Sequence, residues 1–95
     1  MVYREKPFIK DFLADDKGYF SIFEIGYEIS DEEFAKRGID NLQLIRYESS
    51  LRSAKETLPS IKTAKTPYFI LFDDKKIVLE THHPDEVFRF LKRKQ

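Results

Sequence analysis

Few of the side chains in this sequence can do covalent or metal chemistry. There is no cysteine, so disulfides, thiol nucleophiles and cysteine metal sites are excluded. The two histidines are neighbours, His82 and His83. Adjacent residues share a metal only where the backbone bends, and the nearest further ligands are Asp85 and Glu86. Polar residues opening a helix explain the pair equally well, with His83 as the N-cap. Most carboxylates fall in turns or in first helical turns, where they complement the helix dipole. Glu24 is set apart because it interrupts the apolar run Tyr19 to Ile25. It is expected at the strand end near solvent, a buried functional carboxylate being the competing reading. The three glycines, Gly18, Gly26 and Gly38, are isolated, so no phosphate-binding loop is present. Composition leaves Ser-His-Asp catalysis open, but nothing marks a nucleophile. No catalytic residue, metal or cofactor is assigned.

Seventeen basic and seventeen acidic residues give a formal net charge of zero. Strong non-specific nucleic-acid binding needs an excess of Lys and Arg to displace counterions, and is not expected. The one compact basic cluster, Lys92-Arg93-Lys94, fits the last turn of a helix, beside its exposed carbonyls. No stretch approaches the roughly 20 apolar residues that span a bilayer. Met1 to Lys10 mixes charged and apolar residues, unlike a signal peptide. The expectation is one domain over residues 1–95, cytoplasmic, with no membrane partner.

These residues must be positioned by elements that the pattern makes legible. The segment Tyr68 to Phe72 is apolar and aromatic, Asp73 to Lys76 is charged, and Ile77 to Leu79 is apolar again. That is a β-hairpin, entered through Thr66-Pro67, whose first strand is buried on both faces. Tyr19–Ile25 reads as a second doubly buried strand. Leu42–Tyr47, interrupted by Gln43 and Arg46, reads as a strand nearer the sheet edge. Pro7 to Lys17 is a helix with Phe8, Ile9, Phe12 and Leu13 on one stripe and Gly18 at its end. Ser30-Asp31-Glu32-Glu33 has the pattern of a capping box, opening a short helix stopped by Gly38. Ser49 and Ser50 can cap a helix over Leu51–Leu58, limited by Pro59. Pro84-Asp85-Glu86 opens the last helix, with Val87, Phe88 and Leu91 on its apolar face. The order is helix, strand, helix, strand, helix, strand, strand, helix, calling for a mixed sheet covered by helices.

Taken together, Phe8 to Arg93 resembles a thioredoxin-like fold. Thr66-Pro67 resembles that family's cis-proline step, Tyr68–Thr81 its terminal hairpin, Pro84–Arg93 its last helix, and Tyr19–Ile25 its central strand. The resemblance implies a three-layer α/β/α arrangement with a mixed four-stranded sheet, a C-terminal β-hairpin and a final helix. The family's redox chemistry needs two cysteines, two residues apart, at the start of the helix after the central strand. The matching segment, Tyr27-Glu28-Ile29-Ser30-Asp31, has none, so dithiol oxidoreductase activity is excluded. In such proteins the residue before the cis-proline pairs its backbone with an extended partner peptide. The resemblance thus implies a partner surface at Thr66 and Pro67 and the adjacent loop, Tyr27, Glu28, Ile29 and Ser30. Tyr27 and Ile29 would add apolar contact. The competing reading makes Pro67 purely architectural and Tyr27 an ordinary loop aromatic.

The leading expectation is a redox-inactive protein-binding or regulatory module whose partner is another protein or an extended peptide. One alternative is a non-thiol enzyme or small-ligand protein with a pocket near His82, His83 and Glu24. Another is a structural homodimer built through an edge strand such as Leu42–Tyr47, against a monomer.

Overall fold

Aromatic and branched residues in a run without polar alternation are stable only in the middle of a covered sheet. Two runs of this chain meet there. The computed structural model describes residues 8–95. Its elements are α1 (Phe8–Phe12), β1 (Phe20–Ile25), α2 (Asp31–Lys36), β2 (Leu42–Glu48), α3 (Leu51–Thr57), β3 (Tyr68–Phe72), β4 (Ile77–Thr81) and α4 (Pro84–Arg93). The architecture is α/β, a four-stranded mixed sheet with four helices among the described residues. Its strand order is β2-β1-β3-β4. β1 and β3 take the two central places and are buried at every position. They run antiparallel, with Ser21 opposite Phe72 and Ile25 opposite Tyr68. β3 and β4 form the expected antiparallel hairpin, and β2 lies parallel to β1 at the other edge.

Alternation along the strands divides the core in two. One cluster joins Phe20, Ile22, Phe69 and Leu71 to Phe34 of α2 and to Val87, Phe88 and Leu91 of α4. The other joins Phe23, Ile25, Ile70 and Phe72 to Phe12 of α1 and Ala54 of α3. In the second cluster the Phe12 ring lies 5.3 Å from that of Phe72 and 4.8 Å from that of Phe23. β2 is the less buried edge that its sequence indicated, with Leu44 and Tyr47 exposed.

The first helix is shorter than expected. It stops at Phe12, because the next amides find partners elsewhere. Ala14 N–H donates to the Asp73 carbonyl at 3.0 Å, and the Asp15 and Asp16 amides donate to Gln43 Oε1. Tertiary hydrogen bonds replace the helical ones that would have carried α1 to Lys17. Gly18, at φ +88°, therefore sits in the turn before β1 and does not end the helix. The expected start at Pro7 and the side chains of Phe8 and Ile9 lie outside the described residues.

The capping box forms by half. Ser30 Oγ accepts from Glu33 N–H at 3.2 Å. The Glu33 carboxylate does not return to the serine amide as expected, but accepts from Arg37 Nε at 2.9 Å. Gly38, at φ +74°, ends α2, with its amide on Ala35 O and that of Ile39 on Phe34 O, a Schellman closure. Ser30 is exposed, so Ser30→Ala removes little besides the cap. We expect it to cost about 1 kcal/mol and to lower Tm by roughly 4–8 °C. Thermal unfolding followed by circular dichroism measures this; an unchanged Tm would mean the cap contributes nothing.

Candidate functional site

The site is built on the end of β1. The sequence placed Glu24 near solvent; the structure corrects this. β1 is covered on both faces along its whole length, and Glu24 is fully buried. Its neighbours across the sheet are Tyr47 on β2 and Phe69 on β3. Oε1 accepts the Ile29 amide at 3.1 Å, while Oε2 has no hydrogen-bond partner among the described residues. Burial pushes the carboxyl's pKa up to about 8. The Ile29 hydrogen bond opposes that rise, and the charges of Glu28 and Asp31 add to it. At neutral pH Glu24 is thus an uncharged acid.

The Glu24–Ile29 bond ties back the loop that leaves β1. Gly26 to Glu28 lie between β1 and Ile29, and Ser30 caps α2 at the far end. The loop begins at Gly26, whose φ of +81° favours glycine. Its amide donates to Glu48 O at 2.9 Å. A Cβ at Gly26 would lie 2.7 Å from Thr66 Cβ. Only a residue without a side chain lets the loop lie directly against Thr66, so the two predicted halves of the partner surface are neighbours.

The Thr66–Pro67 peptide is cis. Thr66 is exposed, and Pro67 is half-buried. β3 pairs with β1 from Tyr68 onward and with β4 from Phe69 onward, so Thr66 precedes both ladders. Among the described residues neither its N–H nor its C=O takes part in a backbone hydrogen bond. Tyr27 is 54% exposed, and Glu28 and Ser30 are also open to solvent.

Ile29 departs from its expected role. It is 3% exposed and packs with Phe34 and Phe69 in the first core cluster. Its side chain holds the loop down and has little surface left for a partner. Beside the loop runs a groove of about 370 Å³ between Tyr27, Glu28, Glu33, Arg37, Asp85 and Phe88. The sequence did not single out Gly26, Arg37 or Phe88 for the site. Gly26 was legible, since an isolated glycine directly after a buried strand often marks close backbone approach.

The two histidines do not join Glu24. Glu24 shares a sheet face with Phe69 and Thr81, whereas Tyr68 and Glu80 point to the opposite face. The His82 ring packs on Tyr68 with centroids 4.8 Å apart, and its Nε2 is 2.8 Å from Thr63 Oγ1. Tyr68 in turn donates its hydroxyl proton to Glu80, and burial together with that carboxylate holds its pKa above the usual phenol range. His83 is the N-cap of α4 but makes no side-chain cap bond. No group of three or more metal-binding side chains occurs among the described residues. No helix among them is long and apolar enough to cross a membrane.

The arrangement can therefore present backbone hydrogen-bonding groups beside an exposed aromatic ring. Compared with known proteins, the chain matches no family model, no curated protein and no solved structure.

Proposed function

We propose that this chain is a redox-inactive, thioredoxin-like domain of three α/β/α layers that serves as a cytoplasmic protein-binding or regulatory module. Its site is the Tyr27–Ser30 loop together with Thr66 and Pro67, and its partner is an extended segment of another protein. The strand order and the closing hairpin and helix support the scaffold reading. The observation that carries the function is the exposed Thr66, whose peptide groups lack backbone partners and which lies against Gly26. A backbone N–H and C=O left open beyond the end of two ladders suit β-addition, in which main-chain bonds give affinity and neighbouring side chains give selectivity. Tyr27 supplies the aromatic anchor, a residue type over-represented among energetic hot spots.

The test is affinity capture with Tyr27→Ala. Tyr27 is mostly exposed, so its removal leaves the core intact. Recovery of partner is expected to fall by about tenfold or more, the effect of losing one anchor worth roughly 1.4 kcal/mol or above. Unchanged recovery at equal stability would remove this surface from consideration. Ile29→Ala is unsuitable for the purpose, because it opens the core.

A further inference from the structure

Helix α4 carries a second surface that the loop reading does not use. Its outer side and the end of α2 enclose an open groove of about 580 Å³, lined by Arg37, Phe88, Arg89, Lys92 and Arg93. Phe88 lies buried at its base, 8% exposed, with the Arg37 guanidinium covering its ring at 3.9 Å from the centroid. Four of the five lining residues are cations, in a chain whose net charge is zero.

Local structure uses part of this charge. Arg37 pairs with Glu33, and Lys92 Nζ donates to the Arg37 carbonyl at 3.2 Å. Lys92 and Arg93 also lie in the last turn of α4, where cations complement the helix dipole. Arg89 is not accounted for in this way, because it precedes that last turn. Arg89 and Arg93 are exposed and stand outside the one ion pair among the described residues. Two exposed guanidinium groups one helical turn apart suit planar carboxylates, which arginine binds bidentately.

The charge along this side of the molecule is graded. The neighbouring groove at the loop shares Arg37 and Phe88 but carries Glu28, Glu33 and Asp85. A ligand lying along α4 therefore meets acidic groups near the helix start and basic groups near its end. We propose that the groove beside α4 binds an acidic peptide segment of a partner protein, its carboxylates on Arg89 and Arg93 and its apolar side chains along the stems of the lining arginines and Lys92. The acidic end of the surface disfavours a uniformly anionic polymer or a membrane sheet, either of which would face repulsion along half its length.

The experiment uses the full chain and a short labelled peptide of alternating glutamate and leucine, read by fluorescence anisotropy. The expected result is saturable binding that weakens about tenfold or more when glutamine replaces glutamate, or when the protein carries Arg89→Glu with Arg93→Glu. The doubly reversed protein is expected to gain affinity for the corresponding lysine–leucine peptide. Both positions are exposed; reversing Arg93 at the helix end is expected to cost up to about 1 kcal/mol, so a native far-UV circular dichroism spectrum at the assay temperature shows that loss of binding is not loss of fold. Equal affinity for the glutamate and glutamine peptides would overturn the proposal. So would tighter binding to a single-stranded oligonucleotide or to phosphatidylserine vesicles, or absence of the charge-swapped rescue. Tyr27→Ala is expected to leave this affinity within about twofold, so failure here and failure of the loop surface are separate results.

Discussion

Glu24→Gln is expected to be more stable than the native chain at pH 8 and above, and to lose most of the pH dependence that the native chain shows between about pH 5 and pH 8. The side chain is fully buried, and burial raises its pKa from 4.5 to about 8. Between those two values the unfolded chain has released the proton and the folded chain still holds it. Unfolding then releases a proton, so the unfolding free energy falls as pH rises, by up to about 1.4 kcal/mol per pH unit. The stabilising contribution is complete below the unfolded pKa and is lost by the time pH reaches the folded one. Over the whole window the change is roughly 3–5 kcal/mol, a large fraction of what a domain of this size possesses. Asp73 works in the other direction. Burial raises its pKa, but the Lys75 and Lys76 amides and charges outweigh that and bring it below the usual range. Its contribution is lost only at more acidic pH, outside the window of Glu24.

Glutamine keeps an oxygen for the Ile29 amide and cannot ionise. Urea unfolding of both proteins at pH 5, 6.5 and 8, values set roughly by the window above, measures the difference and cancels the other titrating groups. Parallel stability curves for the two proteins would show that Glu24 is ionised, or solvated, in the native state.

Gly26→Ala is expected to cost about 2–4 kcal/mol, well above the cost of Gly18→Ala. Both glycines have left-handed backbones, at φ +81° and +88°. An L-residue in that region costs roughly 1–2 kcal/mol by itself. They differ in their surroundings. A Cβ at Gly18 meets nothing within 4 Å, whereas one at Gly26 lies 2.7 Å from Thr66 Cβ. The excess of Gly26→Ala over Gly18→Ala therefore reports the contact between the loop and Thr66. Thr66→Gly removes the obstructing Cβ, and in the Gly26→Ala background it is expected to recover part of that excess while leaving the backbone cost. Equal losses at Gly18 and Gly26 in urea unfolding would show that the loop is not seated on Thr66.

The hairpin and the central strand were the most legible features because their signals are local. Tyr68–Phe72 has no polar position, and the Asp73–Lys76 turn is held by Asp73 Oδ1 accepting from the Lys75 and Lys76 amides. Caps were also local, and Ser30 and Ser50 both accept an amide three residues on. What the sequence concealed depends on distant partners. The end of α1 is decided by Asp73 and Gln43, both far along the chain. The burial of Glu24 is not local either: it comes from the cover over both faces of β1, which the strand's own residues do not contain. Ile29 is an apolar loop residue read as surface and found in the core. The approach of Gly26 to Thr66 and the convergence of Arg37 with Arg89 and Arg93 arise from tertiary packing, which no short window contains.

Amide hydrogen exchange of the captured complex measures the central proposition most directly, because a partner strand must take up the free peptide groups it pairs with. The expected result is new protection at Thr66 and across the Tyr27–Ser30 loop, with the outer edge of β2 unchanged. Protection confined to β2, with Thr66 and Tyr27 exchanging as in the free protein, would contradict it.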